Sequence, residues 1–239
     1  METNPDFILT ARLITLYSNH NDTQTKKEQS MDGIFNLHAT QLSDPDESEQ
    51  NEEAKPNHGE AFYSRMLKTR TILLSGEVNK DLAERVIRQL LLLEEASGDK
   101  PIRLFIDSPG GDADAGFAIF DMIRFVKPAV YAIGMGLVAS AGALILLAAP
   151  KELRIGLPNS HYLIHQPLSG IRGVATEIEI HARELEKLRQ KINVLISAET
   201  GQAIDKVEKD TDRDYWMTAA DAAEYGLISK VISRRDELV

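Results

Sequence analysis

Gly136-Leu-Val-Ala-Ser-Ala-Gly142 sets one hydroxyl, Ser140, among small apolar residues. A β-rich run, Val130-Tyr-Ala-Ile133, precedes it, and a helix-like run, Ala143-Leu-Ile-Leu-Leu-Ala148, follows. A serine at a strand-to-helix junction can present its Oγ to a cleft, where the helix N-terminus favours nearby negative charge. The competing reading is a small packing residue that lets a buried helix approach its neighbours, the commoner fate of serine in apolar helices.

Outward from this junction the chain repeats strand, glycine-marked turn and helix. Thr71-Ile-Leu-Leu-Ser75 reads as a buried strand closed by Gly76. Asn79 is the predicted N-cap of a helix carrying Leu82, Val86, Leu90 and Leu93 on one face. Ile102-Arg-Leu-Phe-Ile106 alternates like a strand and runs into Gly110-Gly111. A second helix follows, with Phe117, Phe120, Ile123 and either Phe125 or Val126 on its apolar side. Short strands near Arg154–Ile155 and Tyr162–Ile164 complete an α/β domain. Residues 133–149 approach transmembrane length. Gly134, Gly136, Ser140 and Gly142 interrupt that run and Pro150-Lys-Glu ends it, so it reads as a buried strand and helix and no membrane span is expected.

After Pro167 the character changes. Ser169-Gly-Ile-Arg-Gly-Val174 reads as a flexible or strand-like excursion. Thr176 to about Glu199 is predicted as one long charged helix bearing Ile178, Leu185, Leu188, Ile192 and Leu195–Ile196, with Gly201 marking its end. A helix this charged, beyond the compact core, suggests a projecting element that packs on a neighbour.

With 239 residues and 43% hydrophobic content the chain can bury a substantial core, as one large domain or two small ones. Having no cysteine, it can form no disulfide, catalytic thiol or thiolate metal site, which fits a reducing compartment. Residues 1–60 hold 4 Lys+Arg and 12 Asp+Glu, and so carry −8 of the total charge of −10. Acidic Glu2 and Asp6, with Arg12 inside the short apolar run, do not resemble a secretory signal. Residues 1–60 are therefore expected to be a disordered acidic leader or propeptide, and 61–239 the folded domain. The nearly neutral remainder has no basic stripe for phosphate backbones, so nucleic-acid binding is not expected.

Two later segments carry what a serine nucleophile needs. His165 lies in Leu163-Ile-His-Gln-Pro167, and Asp214 closes Asp210-Thr-Asp-Arg-Asp214. Serine, histidine and aspartate are the nucleophile, base and orienting carboxylate of acyl transfer. His161 and His181 are rival bases, and composition alone does not separate Asp214 from Asp210 and Asp212. Gly110-Gly111 can bring backbone N–H groups against developing negative charge or simply form a strand-to-helix turn. A phosphate loop is a weaker reading, since no Lys-Ser/Thr follows.

Taken together, these residues resemble the proteolytic subunits of Clp proteases, the ClpP family. The matching features run colinearly over roughly Phe62 to Arg234. They are Ser108-Pro-Gly-Gly111, Ala115-Gly116, Lys127-Pro128, Gly136-x-x-Ala-Ser-x-Gly142, Leu157-Pro-Asn-Ser160, and His165-Gln-Pro167. Ala175-Thr-Glu-Ile-Glu-Ile-His-Ala-Arg183, Thr200-Gly201, Asp210-Thr-x-Arg-Asp214 and Ala222-x-Glu-Tyr-Gly-Leu227 continue the series. The resemblance implies a crotonase-like α/β domain with a handle over about 167–200. It implies Ser140 as nucleophile, His165 as base and Asp214, the last aspartate of its cluster, as the third triad member. Gly111 and Ala141 would donate the oxyanion hydrogen bonds, and Asp212 and Arg213 would serve ring–ring contact. Met is common in the family where this chain has Ala141, which points to a substrate pocket of altered shape.

It further implies self-assembly into two stacked heptameric rings, a tetradecamer in the cytoplasm acting on unfolded polypeptide. A partner AAA+ Clp ATPase would feed it, and no metal or organic cofactor would be needed. The polar residues before Phe62 depart from the family, whose loops at that end help to couple ring and ATPase. Two alternatives remain at this level: a catalytically weak structural subunit of a mixed ring, and an acyl-CoA hydratase or isomerase of the same general fold.

Overall fold

The structure, a computed structural model, describes residues 58–238. The expected leader lies outside the described residues except for its last three, which open helix α1 (His58–Lys68). That helix was not anticipated from the sequence. Strand β1 (Thr71–Ser75), helix α2 (Lys80–Ala96), strand β2 (Ile102–Ser108), helix α3 (Ala113–Phe125), strand β3 (Val130–Ala139) and helix α4 (Ala141–Leu146) follow. Next come β4 (Arg154–Gly156), β5 (His161–Ile164), α5 (Ala175–Thr200), α6 (Ile204–Thr211), β6 (Tyr215–Thr218), α7 (Ala219–Tyr225) and β7 (Lys230–Val231).

Local chemistry explains the first units. The Asn79 side chain accepts from Leu82 N at 2.9 Å, satisfying one of the orphan donors at the start of α2. Leu82, Val86, Leu90 and Leu93 are all buried, as their spacing predicts, each contributing roughly 2 kcal/mol of apolar burial. At the end of α3 the structure decides between the two candidates: Val126 is buried and Phe125 is 76% exposed. Arg70, in the left-handed region at φ 54°, ties the start of β1 to the end of α2, donating to Leu93 O at 2.7 Å and Lys100 O at 2.7 Å.

The sheet runs β1-β2-β3-β4-β7, with β5 pairing β3 and β6 pairing β5. All pairs are parallel except β5 with β6. β3 serves two partners in succession. Its first half pairs β4 through Ala132–Gly134, and its last three residues, Leu137–Ala139, pair β5. Between them the register with β2 slips, from Ile106↔Gly134 to Ser108↔Val138. Gly136, at φ 55°, makes the bend possible, because a Cβ there would stand 2.6 Å from Asp107 Oδ1. That same oxygen accepts from Leu137 N at 3.0 Å and holds the bend. The run 133–149 thus becomes the bent strand β3 and the buried helix α4, and no described helix is long and apolar enough to cross a membrane.

Helix α5 has 26 residues, about 39 Å at 1.5 Å per residue. Its first half is largely exposed, with Ile178 and Ile180 among the uncovered side chains, and Ile192, Asn193, Ile196 and Thr200 bury its far end. Residues 169–174 before it are irregular, without a strand. Gly201, at φ 81°, caps it as its position predicted. Two residues earlier Glu199 fixes the helix base. Its carboxylate takes hydrogen bonds from Arg124 on α3, at 2.5 Å, and from the fully buried Arg154 on β4. Arg154 also donates to Ala149 O at 2.7 Å and Glu199 O at 2.9 Å, so the buried guanidinium is satisfied as well as charge-paired.

Candidate active site

Three neighbouring strand ends assemble the site. The parallel pairing of β3 with β5 sets Ala139 beside Leu163, and one residue further Ser140 N donates to Leu163 O at 2.9 Å. Ser140 is thereby anchored two residues before His165. The antiparallel pairing of β5 with β6 sets Ile164 opposite Tyr215, so the next residues outward, His165 and Asp214, face one another. His165 Nδ1 lies 3.0 Å from Asp214 Oδ1. The histidine side chain is 15% exposed and the carboxylate 61%, so one edge of the pair is open to solvent.

Ser140 occupies φ 54°, ψ −120°, a conformation that a non-glycine residue adopts only when its surroundings enforce it. The enforcing contacts are visible. Helix α4 begins at the next residue, Leu144 N donates back to Ser140 O at 3.1 Å, and Gly110 packs on the serine from below. A Cβ on Gly110 would stand 2.6 Å from Ser140 Cβ, so only glycine fits there. Gly111, at φ 143°, is held by the segment around Val78: Val78 N donates to Gly110 O, and Asp112 N to Val78 O, each at 2.7 Å. Among the described residues the N–H groups of Gly111 and Ala141 and the Ser140 hydroxyl find no hydrogen-bond partner. Catalytic hydrogen bonds of unliganded sites often close only around substrate.

Gly111, Ser140, Ala141 and His165 line one cleft of ≈ 870 Å³ between the sheet edge and α5. This is ample room for a peptide segment. Leu144, Leu147, Leu188, Ile192 and Ile196 give it an apolar floor. Ala141 adds little to it: the side chain is 3% exposed, and a Cβ on Gly116 of α3 would stand 3.2 Å from its own Cβ. Beneath the site, Tyr162 fills space that only glycines leave free, since a Cβ on Gly134 or Gly156 would come within 2.5 Å or 2.6 Å of its hydroxyl. Burial pushes that phenol up to about 12.

The rivals are placed elsewhere. Asp210 accepts from Lys206 at 2.6 Å and from the Tyr225 hydroxyl at 3.1 Å. Asp212 faces Arg189 at 3.7 Å, while its carbonyl accepts from Gln166 Nε2 at 2.6 Å. Arg213 is exposed in the same turn. His161 is exposed and, four residues along an extended strand from His165, lies about 13 Å away. His181 does line the cleft, but its Nε2 is 2.6 Å from Ser169 Oγ. The sequence reading did not single out Asp107, which bends β3. Nor did it find Gln166, whose N donates to Thr211 O at 2.6 Å and so braces the segments carrying His165 and Asp214. Gln166 lies within the quoted His165-Gln-Pro167 motif, but its bracing role depends on Thr211, which is distant in sequence, and Asp107 acts on the equally distant Leu137.

A mostly parallel sheet with a bent central strand, a cleft at the strand ends and a long helix beyond it define an α/β domain of the ClpP fold. Solved structures agree: a point mutant of ClpP1 from Listeria monocytogenes is similar with a TM-score of 0.70 and 48% identity, over 74% of this chain and 99% of that one. The Clp protease family matches residues 53–235, and the chain belongs to that family. ATP-dependent Clp protease proteolytic subunit 2 of Treponema denticola is 64% identical over 80% of this chain and 96% of its own length. The Treponema pallidum subunit 2 is 64% identical over 79% and 96%, and that of Borreliella burgdorferi 54% over 72% and 87%.

Proposed function

We propose that the chain is a serine endopeptidase that cuts unfolded polypeptides through Ser140, His165 and Asp214. The observation that carries this reading is the adjacency of an enforced, positive-φ serine and a histidine–aspartate pair at three neighbouring strand ends of one cleft. Asp214 holds His165 as the Nδ1–H tautomer, leaving Nε2 to take the Ser140 proton as Oγ attacks the peptide carbonyl. The oxyanion accepts from the free N–H groups of Gly111 and Ala141. Collapse expels the amine with the proton from His165, and a water, deprotonated by the same ring, releases the acyl group from Ser140.

The relatives' names support a proteolytic subunit that works with an ATP-dependent partner. The chain has no phosphate-binding loop of its own, so unfolding falls to a separate AAA+ Clp ATPase. Assembly as two stacked heptameric rings, with Asp212 and Arg213 at the ring–ring contact, is part of the same reading. The uncovered apolar residues of α5 fit a handle that packs on a second ring. The purified chain is expected to hydrolyse a fluorogenic peptide with an apolar residue before the cut and to leave an enoyl-CoA unchanged. Enoyl-CoA turnover without peptide hydrolysis would overturn the reading in favour of a hydratase or isomerase.

A further inference from the structure

Among the described residues, one lysine of the cleft has no carboxylate partner. Helix α5 presents His181, Glu184, Lys187, Leu188 and Lys191 to the cleft, at spacings that share one face. Glu184 and Lys187 neutralise each other at 2.7 Å, and His181 is bonded to Ser169. Lys191 makes no ion pair among the described residues; its Nζ lies 3.8 Å from the centre of the Phe117 ring on α3. The ring face holds the ammonium against α3. Phe117 follows Gly116, which packs on Ala141, the residue after Ser140. Lys191 therefore lines the same cleft as the proposed nucleophile and the apolar floor.

We propose that Lys191 is a specificity-determining residue that admits a carboxylate-tipped side chain, glutamate above all, at the substrate position before the cut. The inference rests on the serine-peptidase reading of the same cleft. A glutamate has an aliphatic stem that suits Leu144, Leu147, Leu188, Ile192 and Ile196, and a terminal charge that Lys191 can meet. Aspartate has one methylene less of that stem. Opposing it are Asp114, exposed on the α3 side of the cleft, and Asp112, whose carboxylate is occupied by Ala115 N at 2.7 Å. Acceptance of glutamate thus reflects the balance between Lys191 and Asp114.

The test uses two fluorogenic peptides that differ only in carrying Leu or Glu before the cut, with kcat/KM measured on the full-length protein. In Lys191→Met the Glu/Leu ratio is expected to fall roughly three- to tenfold, and in Lys191→Arg the ratio is retained. Asp114→Asn is expected to raise it. On the unsubstituted protein the ratio should fall as salt rises from low to molar concentration, a readout that does not depend on any variant folding. A ratio unmoved by Lys191→Met and flat with salt, with the Leu peptide still cut, overturns the role of Lys191 and leaves the peptidase standing. If the unsubstituted protein cuts neither peptide, the peptidase reading and this inference fall together.

Discussion

Ser140→Ala is expected to reduce peptide hydrolysis by at least about a thousandfold, to the residual level that oxyanion donors and binding alone support. The change deletes one oxygen, and the Ser140 hydroxyl makes no hydrogen bond among the described residues, so the fold loses no hydrogen bond with it. Alanine retains the β-carbon, and the backbone anchors, Ser140 N to Leu163 O and Leu144 N to Ser140 O, do not involve the side chain. Native mass and thermal midpoint should therefore match the unsubstituted protein while turnover disappears. Steady-state hydrolysis of a fluorogenic peptide checks this, and turnover retained in a clean Ser140→Ala preparation would exclude Ser140 as nucleophile.

Replacing Glu199 by leucine is expected to cost about 3–5 kcal/mol, because it leaves the buried Arg154 guanidinium uncompensated. At roughly 2–4 °C per kcal/mol, the thermal midpoint should fall by about 10 °C at fixed protein concentration. The double change Arg154→Leu with Glu199→Leu should recover part of this, since no buried charge is then orphaned. The same cluster gives a pH signature. Burial is the largest influence on the Glu199 carboxyl and acts to raise it, but hydrogen bonds from Arg124 and Arg154 overcome that and hold it below its ordinary value. A carboxyl lowered in the folded state contributes stability above the unfolded value, about 4.3, and loses it as pH falls through the folded one. The difference in midpoint between the native chain and Glu199→Gln should thus be full near neutrality and shrink in acid. A constant difference across that range would remove Glu199 from the account of stability.

The α/β core was legible in the sequence because its signals are local. Asn79 caps α2 through its own side chain, and Leu82, Val86, Leu90 and Leu93 repeat at helical spacing. The parts that were not legible depend on distant partners. The expected strand ended at Ile133, yet β3 continues through Gly134 and Gly136 to Ala139. What sustains it is Tyr162 filling the gap at Gly134 and Asp107 holding Leu137, neither of which is near in sequence. Strand β6 and helix α7 are only four and seven residues long, and their place is set by pairing with β5 and by the Asp221–Thr218 cap.

The candidate site was legible to a different depth. Ser140 and His165 stood out by type and setting, whereas Asp210, Asp212 and Asp214 were equivalent by composition. In the structure Asp210 is occupied by Lys206 and Tyr225, and only Asp214 meets His165, through the β5–β6 register. Lys191 gave no sequence signal, since a lysine on a charged helix reads as solvated. Its significance lies in facing Phe117 on another helix.

The central claim is that Ser140 is a nucleophile activated by His165 and Asp214. The most direct measurement is peptide mapping by mass spectrometry after treatment with a fluorophosphonate, which traps an activated serine as a covalent adduct. The adduct is expected on Ser140 alone, absent from Ser140→Ala and strongly slowed in His165→Ala. An assembled, unmodified protein, or an adduct on another residue, would contradict the account.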